Sequence, residues 1–336
     1  MFLAMKRLIW ADSLKGILIV LVVLGHAIQA QLGGGCFDNH VWNYIYSFHM
    51  AAFMAISGWL SYRANRPLAI NGGGRLSTVY RRAQQLLIPF FMWSLLKLLS
   101  LKVFPSHEVF AFLYPDPYYW FLWALFWIQV FFIIGDWLSE KIKVKQEIAI
   151  TSVWILLALL MLVLNVRILG FQYIAYYFAF YAIGYYLHKY EGLVTKNKVI
   201  IMFLFVVWAI MAWFWNMHKL PAFLSVLPLP GSLLQFAYRF VAAFFSVYVL
   251  INVSPMLLGS EKKWNAAFVW LGKVSLGIYG AHLLFLHPLT QIVSCFISDS
   301  SSVITIVFII SLVMSSFIVW ALSKWKVTAR LFLGKI

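Results

Sequence analysis

The chain is predicted to be an all-α integral membrane protein, a bundle of about ten transmembrane helices with both termini cytoplasmic. Three observations predict this. Only 11% of the 336 residues are charged while 64% are hydrophobic. Apolar stretches of about 20 residues, the length that crosses a bilayer as a helix, recur along the chain. Basic residues gather in alternate loops, the pattern that orients membrane proteins. A soluble domain carries about 25% charged residues, and one with a mean hydropathy of +0.88 has too little polar material to cover its surface. The net charge of +16 therefore speaks of membrane orientation rather than of nucleic acid, and no nucleic-acid partner is expected.

The expected spans run in order over Ser13–Leu32, Val41–Leu60, Leu86–Phe104, Tyr118–Leu138 and Ile148–Val166. Gly170–Leu187, Val199–Met217, Ser232–Val253, Ala266–Leu286 and Val303–Leu322 complete the set, the ninth interrupted by Gly272, Lys273, Gly277 and Gly280. With the N-terminus inside, the inner segments collect Lys6 and Arg7, then Arg63, Arg66, Arg75, Arg81 and Arg82. They also collect Lys141, Lys143 and Lys145, Lys189, Lys196 and Lys198, Lys262 and Lys263, and Lys324, Lys326, Arg330 and Lys335. The outer loops hold Arg167 and Lys219 against Asp38, Glu108, Asp116 and Asp299, so the bias selects one orientation. The apolar run after Met1–Arg7 is of full span length without a small-residue cleavage site, so no cleavable signal peptide is expected. Short loops throughout imply one domain over residues 1–336, no soluble appended domain, and chemistry inside the bundle. Cys36 and Cys295 both fall in outer loops; a disulfide between them and two free thiols both stay open.

Ionisable residues within spans are costly and normally face the bundle interior or a water-filled cavity. They are Lys15, His26, His49, Lys97, Lys102, Arg239, Lys273 and His282, with Asp12 and Asp136 at the edges. Counting helical rise from the span ends places His26, His49, Arg239 and His282 in one layer of the outer half of the membrane. The plainer reading of such residues is that each satisfies a backbone carbonyl. Lys15 and His26 are eleven residues apart, three turns of one helix, so they share a face with ~16 Å between them. That pattern suits a ligand lying along the helix, an anion below and a reactive centre above, although Lys15 also has the reach to snorkel to headgroups. The loop holding Arg63, Arg66, Arg75, Arg81 and Arg82 reads either as ordinary inner-face charge in contact with anionic lipid or as phosphate recognition by planar guanidinium groups. No His-x-x-x-His or Cys-x-x-Cys spacing occurs, and no metal site is expected.

Several motifs carry a resemblance. The first span, Asp12-Ser-Leu-Lys15 through Gly25-His26-Ala27, resembles the opening motif of the acyltransferase 3 family of membrane-bound acyltransferases. Ser47-Phe-His49-Met50 with Ser57-Gly58, the Arg82-to-Pro89 entry to the third span, Trp120-Phe-Leu122 and Ser275-Leu-Gly-Ile-Tyr279-Gly-Ala-His282 resemble its later elements, in the family's order. The Lys-Gly form of the first motif is most similar to the fucose 4-O-acetylase-like branch. Lys15 stands where many members have arginine, and the family's Arg-x-x-Arg reads Arg82-Ala-Gln-Gln85 here.

The resemblance implies acyl transfer from a cytoplasmic acyl-CoA, usually acetyl-CoA, to a hydroxyl of a sugar or polysaccharide, within a bacterial inner membrane and among its lipids. No permanently bound cofactor is expected. Lys15, Arg81 and Arg82 are expected to hold the donor's phosphates, and His26 to act as general base on the acceptor hydroxyl. His49 is expected either to orient His26 or to donate to the oxyanion with Arg239 or Tyr279, and His282 to touch the acceptor. Direct transfer and an acyl-histidine intermediate both remain open. The main rival reading is a polytopic transporter or flippase of a lipid-linked sugar, which accounts for buried basic residues and a wide aromatic lining. It accounts less directly for the co-facial Lys15 and His26.

Overall fold

The structure is a computed structural model that describes residues 8–62, 74–100, 119–163, 170–195, 197–259 and 263–335. The expectations placed on Lys6, Arg7, Arg63, Arg66, Lys102, Glu108, Asp116, Arg167, Lys196 and Lys262 lie outside these residues. All regular structure among the described residues is helical, as the composition demands. The helices are α1 (Ile9–Leu32), α2 (His40–Tyr46), α3 (His49–Ser61), α4 (Gly74–Ser100), α5 (Trp120–Lys141), α6 (Gln146–Val163) and α7 (Phe171–Lys189). They continue as α8 (Lys198–Trp213), α9 (Gly231–Leu258), α10 (Lys263–Lys273), α11 (Ser275–Ser294), α12 (Ser300–Leu322) and α13 (Lys326–Leu333).

The expected ten spans are corrected to six. Among the described residues, the helices long and apolar enough to cross a membrane are α1 with the turn that follows it, α4, α5, α9, α11 and α12. The other four expected spans fail for identifiable reasons. The second is broken at Ser47-Phe48 into α2 and α3, of 7 and 13 residues. Among the described residues, the apolar helix within α6 is Gln146–Met161, shorter than a span, and α7 is diluted by tyrosine. Helix α8 has 16 residues, about 24 Å at the helical rise against a hydrocarbon core of about 30 Å. The ninth span is shifted: the chain breaks at Val274 between α10 and α11, and Lys273 is exposed as the last residue of α10. With the count of ten goes the alternation of loops from which two cytoplasmic termini were deduced. The protein is a multi-pass integral membrane protein, with six long apolar helices among its described residues.

Two compact units are formed, Met1–Phe53 with Gly192–Phe317 and Met54–Glu191 with Ile318–Ile336. In the first, α1 is the central element, packed along α10, α11, α9 and α2. Its contact with α10 is of the small-residue kind that lets helix backbones approach in a membrane. A Cβ at Gly16 would collide with the Phe268 carbonyl, and one at Gly272 with the Asp12 carbonyl. Ala27 of α1 and Leu286 of α11 are buried with Val303 and Val307 of α12, which holds α1 against the middle of α11.

In the second unit, α5 packs on α4, α6 and α7, and α13 lies on α4, where Trp93 Nε1 donates to the Phe332 carbonyl at 2.9 Å. Polar side chains tie its helix ends together. Arg75 reaches Asp136 at 3.3 Å and Glu140 at 2.6 Å, and Gln146 donates to Asp136 at 2.6 Å. Lys189 pairs with Glu147 at 2.6 Å, and the Tyr190 hydroxyl donates to the same carboxylate.

Candidate active site

The centre of the first unit is a pair of histidines. His26 Nδ1 and His282 Nε2 stand 2.8 Å apart, with the two rings within 5° of parallel. Helix geometry explains the meeting. His26 adjoins Ala27 and His282 lies one turn before Leu286, so the α1–α11–α12 seam sets the imidazoles side by side. His282 is fully buried, and its Nδ1 lies 2.9 Å from the carbonyl oxygen of Ile278, one turn earlier in α11. The ring of Tyr279 stands 5.9 Å from that of His282.

His49 belongs to the same neighbourhood but is bonded differently. The break between α2 and α3 leaves carbonyls without their usual helical partners, and in a membrane interior these must be satisfied locally. The Ile45 carbonyl accepts from Phe48 N at 3.3 Å and from His49 Nδ1 at 2.7 Å. Tyr46 stands between the histidines, with ring centroids 6.5 Å from His26 and 4.7 Å from His49. It stacks on Trp42 at 3.7 Å, and its hydroxyl donates to Gln29 Oε1 at 3.2 Å. From Trp42 the aromatic contacts continue to Trp215 at 6.2 Å, over which Arg239 places its guanidinium carbon at 5.3 Å. Arg239 also approaches the Met217 carbonyl at 3.5 Å. Arg239 thus connects to His26 through an aromatic path, not by direct contact.

Lys15 and His26 share α1, which is unbroken from Ile9 to Leu32, so the helical rise does put about 16 Å between them. Lys15 is partly exposed and forms an ion pair of 3.0 Å with the buried Asp12. Arg81 is exposed on α4 in the second unit, and Arg82 donates to Gln85 Oε1 at 3.0 Å. Arg75, from the same arginine-rich segment, is taken by Asp136 and Glu140. Cys36 is a buried thiol and Cys295 an exposed one, and both are free. Sequence reasoning missed Tyr46 and the Ile278 carbonyl. A signal for Tyr46 existed, because a polar aromatic three residues before His49 falls on the same short stretch. A backbone carbonyl carries no residue-type signal at all.

Several long apolar helices and an imidazole pair seated between α1 and α11 define a polytopic membrane protein with an internal polar centre. The chain belongs to the acyltransferase 3 family: the family's model, described as an acyltransferase domain, matches residues 8–324. It is similar to a nodulation protein NolL of Mesorhizobium japonicum, 35% identical over 157 residues, which are 44% of this chain and 38% of that protein. It is also similar to a nodulation protein NolL of Sinorhizobium fredii, 35% identical over 175 residues, 46% of this chain and 45% of that one. The chain thus covers less than half the length of these relatives. No solved structure matches it.

Proposed function

We propose that the protein is a membrane-bound O-acyltransferase, acting as an O-acetyltransferase of the fucose 4-O-acetylase-like branch. It moves an acetyl group from cytoplasmic acetyl-CoA to a hydroxyl of a cell-surface or lipid-linked glycan in a bacterial inner membrane. The observation that carries this reading is the His26–His282 contact of 2.8 Å inside a chain matched by the acyltransferase family from residue 8 to residue 324. A neutral imidazole is suited to remove a hydroxyl proton near neutral pH. In the proposed step the acceptor oxygen attacks the thioester carbonyl as His26 takes its proton. The C–S bond then breaks, and the departing CoA thiolate takes the proton from His26, which returns to its neutral form.

The remaining residues fall into supporting roles on the same reading. Lys15 contacts the donor's phosphates, and the pantetheine arm rises along α1 toward His26; Arg81 and Arg82, expected for the same role, belong to the second unit. While neutral, His49 has its single proton on Nδ1, engaged by the Ile45 carbonyl. It therefore presents only an acceptor, and stabilisation of the oxyanion falls to Arg239 or Tyr279. Residues 1–336 work as one acyltransferase domain, a reading supported by a family match that runs through both units.

The test supplies radiolabelled acetyl-CoA to membranes containing the protein and follows label into glycan. Transfer that disappears in His26→Ala, with the variant still present in the membrane, supports the reading. Full transfer in His26→Ala removes His26 as the base, and glycan movement across the bilayer without acetylation by the wild type overturns the reading in favour of a transporter.

A further inference from the structure

We propose that His282 is a positioning residue that decides which ring nitrogen of His26 carries the proton, so that Nε2 of His26 is the bare atom that receives the acceptor's proton. The inference rests on the acyl-transfer reading above and gives His282 a different task from touching the acceptor.

The assignment follows from what each atom is able to do. A neutral imidazole has one N–H and one lone pair, whereas a backbone carbonyl only accepts. The 2.9 Å contact with the Ile278 carbonyl therefore requires the proton of His282 to sit on Nδ1. Its Nε2 is left with a lone pair, and the 2.8 Å contact with His26 is donated by His26 Nδ1. The proton of His26 is then on Nδ1, and its Nε2 lone pair is available. The near-parallel rings keep both the N–H and the lone pair in the plane where such a bond is strong. Reversing the tautomers would set a lone pair against the carbonyl oxygen. Adding a proton to His282 would place a cation at a fully buried position, which the membrane interior penalises.

His282 cannot itself be the base, since both of its nitrogens are engaged and the residue is fully buried. It acts through His26. As the acceptor O–H breaks and its proton passes to Nε2, His26 becomes an imidazolium, and its Nδ1–H bond to His282 becomes charge-assisted and stronger. The interaction gains strength during the reaction, so it affects turnover more than substrate binding.

The test uses the full chain in lipid nanodiscs, labelled with 15N-histidine, with the His26 signals identified by their absence in His26→Ala. The wild-type protein should show His26 protonated at Nδ1 and bare at Nε2, and His282→Phe should move the proton toward Nε2. In membranes supplied with radiolabelled acetyl-CoA, kcat should fall about a hundredfold in His282→Phe, the scale of a lost general base, with KM for acetyl-CoA unchanged. His282→Gln, whose amide oxygen accepts from Nδ1, should restore much of the loss. A wild-type His26 protonated at Nε2, or wild-type turnover in His282→Phe, overturns the inference. Should His282→Phe fail to fold, the wild-type spectrum and the His282→Gln turnover decide. If the wild type transfers no acetyl, the acyl-transfer reading falls; if it does and His282→Phe keeps its turnover, this inference falls alone.

Discussion

The ring of Tyr46 occupies the space that a side chain at Gly25 would need: a Cβ built there would stand 2.9 Å from Cε2 of Tyr46. The glycine before His26 is thus explained by packing. It lets the tyrosine lie against α1 while its ring faces His26 edge-on and stacks on Trp42 behind. Gly25→Ala should push the ring off this seat. Overpacking typically costs ~1–3 kcal/mol, so the variant should melt earlier in detergent and transfer acetyl more slowly. Unchanged melting and unchanged transfer together would show that the ring has room to retreat.

Lys15 serves as a sharper test of the donor end. Its ammonium is paired with Asp12 at 3.0 Å, so a phosphate contact must compete with or extend that pair. Lys15→Ala should raise KM for acetyl-CoA by about tenfold, the scale of one charged hydrogen bond, while Lys15→Arg keeps it low. Equal KM values for wild type and alanine variant would reduce Lys15 to a partner of Asp12.

Arg75 belongs to the second unit's framework rather than to donor recognition. Arg75→Ala removes both of its carboxylate contacts and leaves the buried Asp136 with Gln146. Because Glu140 is half-exposed, the loss should be modest, about 1–2 kcal/mol. A lower melting temperature with unchanged KM for acetyl-CoA is expected, and a raised KM would return Arg75 to the donor site.

A pH effect is expected at the start of α12. The Ser302 hydroxyl and backbone N–H both bond to Asp299, the latter at 2.7 Å, and they hold its carboxyl below the usual range. A depressed folded-state value means that the cap is in force above the ordinary carboxylate range and is lost as pH falls through the folded value. Hydrogen exchange at residues 300–303, corrected for intrinsic rates, should therefore quicken on acidification in the wild type. In Asp299→Asn it should stay level, and equal acid sensitivity in the two proteins would remove Asp299 as the cause.

The residues of the candidate site were legible where chemistry contradicts surroundings. His26, His49 and His282 stand out as imidazoles in apolar helices, and Lys15 as a cation on the His26 face. Their pairing was not legible. The resemblance implied His49 either as the orienter of His26 or as an oxyanion donor and His282 as an acceptor contact, whereas the residue bonded to His26 is His282, 256 positions away. The count of spans failed for a related reason. Hydropathy registers the composition of Val41–Leu60 but not the break at Ser47-Phe48, where carbonyls turn to side chains for their partners.

By itself, the sequence determined the solvent of this protein: with 11% charged residues in 336, only a membrane offers the surroundings its surface needs. It also determined the helical class, because a backbone in lipid must satisfy its own hydrogen bonds and apolar runs of about 20 residues do so as helices rather than as barrel strands. Only the tertiary structure decided which helices reach full span length and which imidazole meets which. Those outcomes depend on where helices break and on how closely glycines such as Gly16 and Gly272 let α1 and α10 approach, and packing between distant segments is not written in local composition.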